Sequence, residues 1–206
     1  MSYLLTHLPR VEHLAAEHLA LVASALVIGL AFAFPLGVFA ARKPRPGRLL
    51  IGVLGILYTI PSLALLAVLV RYAGLGFWTA VVVLVAYAQF VLVRNIAEAL
   101  RAVPAAQMDA ARGLGMSAAQ IFWRVEAPLA LPVILGGLRI ATVAMIALAT
   151  LAAYAGAGGL GELIFEGLSR QYPAETLAGS IPAALLAIAI DAAYRGVESY
   201  ATRYAR

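Results

Sequence analysis

The sequence contains no cysteine, which removes disulfide frameworks, thiolate metal sites and cysteine nucleophiles from consideration. Charge is scarce: 12% of the 206 residues are Asp, Glu, Lys or Arg, about half the ~25% of an ordinary soluble domain. The three histidines, His7, His13 and His18, all precede or border the first long apolar run. No Walker-type phosphate loop, His-Glu-x-x-His pair or Gly-x-Ser-x-Gly elbow is present, so ATP hydrolysis, zinc proteolysis and serine hydrolysis belong to other polypeptides. What is abundant is apolar surface, at 64% of residues with a mean hydropathy of +0.94. One globular core of this length cannot hide that much, and a bilayer is the natural solvent.

Five apolar runs are long enough, or nearly so, to cross a hydrocarbon layer of ~30 Å. They cover about residues 19–41, 49–70, 75–93, 129–154 and 177–194. The last is the shortest, because Asp191 interrupts it. The chain is expected to be all-α, a single transmembrane domain over residues 1–206. The first run is too long for a signal core and ends in Ala-Arg-Lys-Pro without a cleavage site, so it is expected to stay as an anchor. Orientation follows from Lys and Arg. Eleven of them (Arg42, Lys43, Arg45, Arg48, Arg94, Arg101, Arg112, Arg124, Arg195, Arg203 and Arg206) fall on one side and only Arg10, Arg71 and Arg170 on the other. The N-terminus is therefore predicted outside and the C-terminus in the cytoplasm, with the excess charge marking topology and not nucleic-acid binding.

Between the third and fourth runs lies a patterned cytoplasmic segment, residues 95–128. A helix over 96–103 stops at Pro104. A second helix follows to Leu114, Gly115 interrupts, and Ser117 is placed to cap a third. Within it, Asp109-Ala110-Ala111-x3-Gly115-x9-Val125-x-Ala127-Pro128 closely resembles Glu-Ala-Ala-x3-Gly-x9-Ile-x-Leu-Pro. That motif marks the transmembrane subunits of bacterial binding-protein-dependent ABC importers; Asp stands for Glu, Val for Ile and Ala for Leu. Further stretches, Phe34-Pro35-Leu36-Gly37, residues 58–64, Arg94-Asn95, residues 110–117 and residues 156–161, are similar to the osmoprotectant permeases for glycine betaine, choline and carnitine. Methionine-type permeases share five spans and the Gly-rich stretch, so an amino-acid substrate stays open.

The resemblance implies a type I importer permease in the bacterial inner membrane. It would work with a second permease (identical or related), two cytoplasmic ATPase subunits that bind ATP and Mg, and an extracytoplasmic binding protein. No cofactor is implied for this chain. Asp109, Ala110, Ala111, Gly115, Met116 and Ser117 would form the coupling element that docks on the ATPase. Small residues allow close approach there, and Asp109 offers a charged contact or cap. A self-contained secondary transporter would need inverted repeats and intramembrane carboxylates, and neither is visible in the sequence.

Candidates for the translocation path are Tyr58, Thr59, Pro61 and Ser62, where a proline breaks the second span, together with Tyr87, Gln89 and Tyr154. The competing reading is ordinary helix packing. Arg139, deep in the fourth span, is either a gate charge or an interior group bonded to carbonyls, because no carboxylate within a span offers itself as partner. Gly158, Gly159, Gly161 and Glu162 are read as an external gate or binding-protein docking segment, against a plain loop. The histidines are expected to be solvated, alternating with Glu12 and Glu17 on a short outer helix.

Overall fold

A computed structural model describes residues 2–204, and every regular element among them is helical. In chain order these are α1 (Ser2–Thr6), α2 (Leu8–Arg42), α3 (Pro44–Thr59), α4 (Ser62–Ala73), α5 (Phe77–Arg101), α6 (Ala105–Gly113), α7 (Ala118–Ile121), α8 (Ala127–Ala149), α9 (Gly161–Ser169) and α10 (Pro173–Tyr204). A π-helical turn, Phe122–Glu126, joins α7 to α8, and a 3-10 segment, Thr150–Ala155, extends α8. Four helical stretches are individually long and apolar enough to cross a membrane; α3 and α4 qualify as a pair, bent by 89° at their junction. Counting that pair as one gives up to five candidate spans among the described residues. Arg206, part of the basic tail in the charge count, lies outside the described residues.

The centre of the bundle is the contact between α2 and α5. Ala25, Gly29, Ala33, Gly37 and Ala40 are all buried on α2, and their three- and four-residue spacing makes a smooth stripe along one helix face. Against it lie Ala88, Gln89, Leu92, Val93 and Ile96 of α5, with Gly29 beside Gln89 and Gly37 against Ile96. The pairing advances in step along both chains, so the two helices run parallel, as a first and third span must. Small residues let the backbones close up where lipid supplies no hydrophobic drive between helices. Helix α8 runs antiparallel to both: His18 meets Ile146, Arg42 meets Glu126 and Gly137 abuts Asn95. Helix α10 returns antiparallel to α8, joined through Thr142 and Tyr194.

Several element limits differ from the sequence reading. The third span and the expected separate helix over 96–103 are one helix, α5, because Arg94–Glu98 pairing at i,i+4 carries it past the apolar run. The first and fifth helices likewise outrun residues 19–41 and 177–194. Hydropathy registers only the stretch in lipid, whereas backbone hydrogen bonding continues through polar ends. The third helix of the cytoplasmic segment is a single turn that flows through the π turn into α8.

Replacing Gly37 by valine is expected to overpack the α2–α5 seam, where a β-carbon would lie 2.6 Å from Ile96, and to cost about 1–3 kcal/mol. Gly52→Val, with nothing within 4 Å of the added carbon, serves as control. Thermal unfolding in detergent should show a lowered midpoint for the first variant only.

Candidate functional site

The segment between α5 and α8 is a compact knuckle. Helix α6 closes in a Schellman arrangement: the Met116 N–H donates to the Ala111 carbonyl at 3.2 Å and the Gly115 N–H to the Arg112 carbonyl at 2.9 Å. Gly115 carries the left-handed conformation this requires, with φ 73°, and a β-carbon there would meet nothing within 4 Å. Glycine is needed for its backbone, not for space. Two residues later Ser117 opens α7 with a capping box. Its hydroxyl accepts from the Gln120 N–H at 3.3 Å, and the Gln120 side chain accepts from the Ser117 N–H at 2.8 Å. Two turn devices within three residues leave the knuckle little freedom to flex.

Its outer surface is open. Asp109, Ala110 and Ser117 are exposed, Met116 is half-buried and Ala111 is buried. Leu114 at 82% and Trp123 at 64% are exposed apolar side chains on the same segment. The Asp109 carboxylate accepts from Arg112 at 2.7 Å across one turn of α6. The foot of the knuckle is fixed. Glu126 is buried and ion-paired to Arg42, whose guanidinium lies 6.0 Å over the Phe122 ring. Arg101 at the end of α5 donates to the Ala40 carbonyl.

The break between α3 and α4 gathers five of the seven path candidates. Pro61 has no N–H, and the chain turns through Ile60 in an extended conformation. The Tyr87 hydroxyl donates to the freed Ile60 carbonyl, and Thr59 donates to Ile56 O at 2.7 Å. Tyr58 is partly exposed and leans on Phe90 and Tyr87, with centroids 5.2 and 5.8 Å away. Ser62 begins α4 just beyond. Gln89 sits elsewhere: it is buried and donates to the Gly29 carbonyl at 3.0 Å, clamping α5 to α2. Tyr154 lies at the far end of α8, 56% exposed and packed on Phe165 at 4.2 Å.

At that same end the glycine segment is packed inward. Gly158, Gly159 and Gly161 are buried and Glu162 is half-buried. Gly158 and Gly159 hold φ of 78° and 85°, and Glu17 accepts from the Gly159 N–H at 3.0 Å. His18 is fully buried and donates from Nε2 to Ile146 O at 3.0 Å. It is thus not solvated like His7 and His13; the periodicity of α2 turns position 18 into the bundle. Nearby, buried Glu175 receives Tyr3 at 2.8 Å and Arg170 at 3.2 Å, while Arg10 bridges to Glu166 at 2.9 Å. Burial and the Glu175 carboxylate push the Tyr3 hydroxyl above the ordinary phenol range.

Arg139 also departs from expectation. It pairs with two carboxylates of α10, Asp191 at 3.2 Å and Glu198 at 3.1 Å. Seven residues separate these acids, two helical turns, so both face α8. Sequence spacing within one helix gave no sign of a pairing made across two.

Residues 33–201 match the family model described as the inner membrane component of binding-protein-dependent transport systems. The chain belongs to that family. It is 39% identical over 182 residues to the carnitine transport permease protein OpuCB of Listeria monocytogenes, covering 88% of this chain and 84% of that one. Likeness to the choline transport system permease protein OpuBB of Bacillus subtilis is 38% over 175 residues, covering 85% and 81%. To the osmoprotectant import permease protein OsmW of Salmonella typhimurium it is 37% over 196 residues, covering 93% and 91%. The fold is similar to a solved inward-facing form of the MetNI methionine ABC transporter, with a TM-score of 0.85 at 21% identity over 95% of this chain and 98% of that one. The chain is thus an all-helical inner-membrane transport component, with the type I importer permease fold expected from its motif.

Ser117→Ala removes the capping box and should weaken α7 by about 1 kcal/mol. Amide exchange at Gln120 is expected to quicken several-fold, while amides in the middle of α5 stay protected.

Proposed function

We propose that this permease, paired with a second copy or a related chain, forms the translocation path for a small osmoprotectant such as glycine betaine, choline or carnitine. The solute is delivered by an extracytoplasmic binding protein. Two cytoplasmic ATPase subunits, which bind the ATP and Mg, drive the cycle; this chain hydrolyses nothing and holds no cofactor. The knuckle carries the reading. It is a stiff, outward-facing helix pair with exposed Leu114, anchored at a buried ion pair and continuous through α8 with the membrane interior. Closure of an ATPase pair is a rigid-body motion, and a stiff element is what such motion needs to enter the bilayer.

Asp109, Ala110, Ala111, Gly115, Met116 and Ser117 form the coupling element in this reading. The basic residues at the Arg42 end, and the knuckle itself, support a cytoplasmic placement of that end, with the N-terminus outside. The substrate class rests on relatives that carry carnitine, choline and osmoprotectant in their names. The path is placed at the α3–α4 break. There the Tyr58 face, backed by Phe90 and Tyr87, offers a weak cation–π contact to a quaternary ammonium. Weak contact suits a path; tight selection belongs to the binding protein. The likeness to the methionine transporter supports the fold and not the substrate.

In the reconstituted importer, Gly115→Pro or Asp109→Arg is expected to abolish ATP hydrolysis stimulated by the loaded binding protein while leaving membrane insertion unchanged. Stimulation retained in both variants contradicts the coupling assignment. Labelled glycine betaine, choline or carnitine should be taken up and methionine should not; the reverse overturns the substrate class.

A further inference from the structure

Arg139 stands thirteen residues beyond Glu126 and ten before Ala149, about 15–20 Å of helix from either end of α8. An unpaired guanidinium at that depth is expensive, and the chain resolves it with α10 alone. Arg139 Nη1 meets Asp191 at 3.2 Å and Nε meets Glu198 at 3.1 Å. Arg195 shares Asp191 from one turn away at 2.8 Å, and the Thr142 and Tyr194 hydroxyls bond at 3.2 Å just beside them. The group holds two cations and two anions, so it presents no net charge to a passing solute and makes a poor filter. Three of its side chains are half-buried, at 25% exposure for Arg139, 29% for Asp191 and 22% for Glu198, and Arg195 at 68% closes its outer edge.

The other faces of α8 are held differently. Toward α5 the contact is Gly137 against the Asn95 side chain, neutral and close, with no ion pair. Toward α2 the Arg42–Glu126 pair acts at the foot alone, thirteen residues before Arg139, with Glu126 buried and the Arg42 side chain 47% exposed. Among the described residues, the ion pairs that hold α8 part-way along its length are those with α10. Separating that seam would leave Arg139, deep in α8, without its two carboxylates, a far greater cost than sliding along a glycine.

We propose that Arg139 is a positioning residue that locks α8 and α10 into one lever, so that the push received by the knuckle reaches α10 through the Asp191 and Glu198 carboxylates. This rests on the coupling role of the knuckle. The moving seam is then α5 against α8, and the Arg42–Glu126 foot is the pivot.

Because the native chain has no cysteine, spin labels report only where they are placed. One pair, Ile140→Cys with Ile188→Cys, spans α8 and α10 at positions 58% and 64% exposed. The second, Ile140→Cys with Val82→Cys, spans α8 and α5, Val82 being 51% exposed. Distances are measured in the complete importer in lipid, without nucleotide and with ATP trapped. The α8–α10 separation is expected to stay fixed while the α8–α5 separation changes. In Arg139→Gln the α8–α10 distribution should broaden and uptake should fall at least about tenfold, with Arg139→Lys restoring most of both. Should Arg139→Gln fail to fold, the charge-free triple Arg139→Gln, Asp191→Asn, Glu198→Gln takes its place, with the same broadening and loss expected. A native α8–α10 shift approaching one helical turn, about 5 Å, overturns the lever, as does invariance of both pairs or full uptake by the charge-free triple. If stimulated ATP hydrolysis survives Gly115→Pro, the coupling reading itself is at fault; if it is lost there while α8 and α10 separate, only the lever is.

Discussion

A push can be transmitted only by a part whose foot is held, and here the foot is Glu126. Its carboxylate is buried, paired with Arg42 of α2, and sits where a π turn delivers the cytoplasmic segment into α8. Without a partner, that buried charge would draw water into the helix junction or drive the segment away from the bundle. With Arg42 in place, the short helices α6 and α7 become the exposed head of one continuous rod. The Schellman turn at Gly115 and the capping box at Ser117 stiffen the head, and the guanidinium over Phe122 steadies the foot.

The same economy of polar groups runs through the membrane part. Three polar side chains within the bundle each answer a specific backbone need. Tyr87 satisfies the Ile60 carbonyl left open at the break between α3 and α4, Gln89 binds the Gly29 carbonyl across the close approach of α2 and α5, and His18 serves Ile146. In lipid no water stands by to do this. The bundle therefore divides into a tightly sutured pair, α2 with α5, and a bent pair, α3 with α4, whose outer faces remain largely uncovered. Leu49, Val53, Ile56 and Leu63 are all exposed there, surface that lipid or a second permease can cover.

Much of this was legible in the residues. The all-helical class, the Pro61 break, the glycine stop at 115 and the Ser117 cap each rest on short-range rules, and each appears where those rules put it. What escaped was long-range. Nothing local says that Asp191, which ends an apolar run, faces Arg139 fifty-two residues earlier, or that Glu17 and His18 fold inward onto the glycine segment instead of standing in solvent. Gln89 read as a path residue for the same reason: polarity is visible in sequence, but which helix face turns inward is decided by packing. Gly115 read as a site of close approach, whereas its left-handed φ shows a conformational demand.

The central claim is that the knuckle meets an ATPase. A photoreactive cross-linker on Leu114→Cys, in an otherwise cysteine-free chain, tests it in native membranes. The account expects a single adduct with the ATPase subunit, at a yield that changes between nucleotide-free and ATP-trapped states. Adducts confined to lipid, or none with the ATPase in either state, would contradict it.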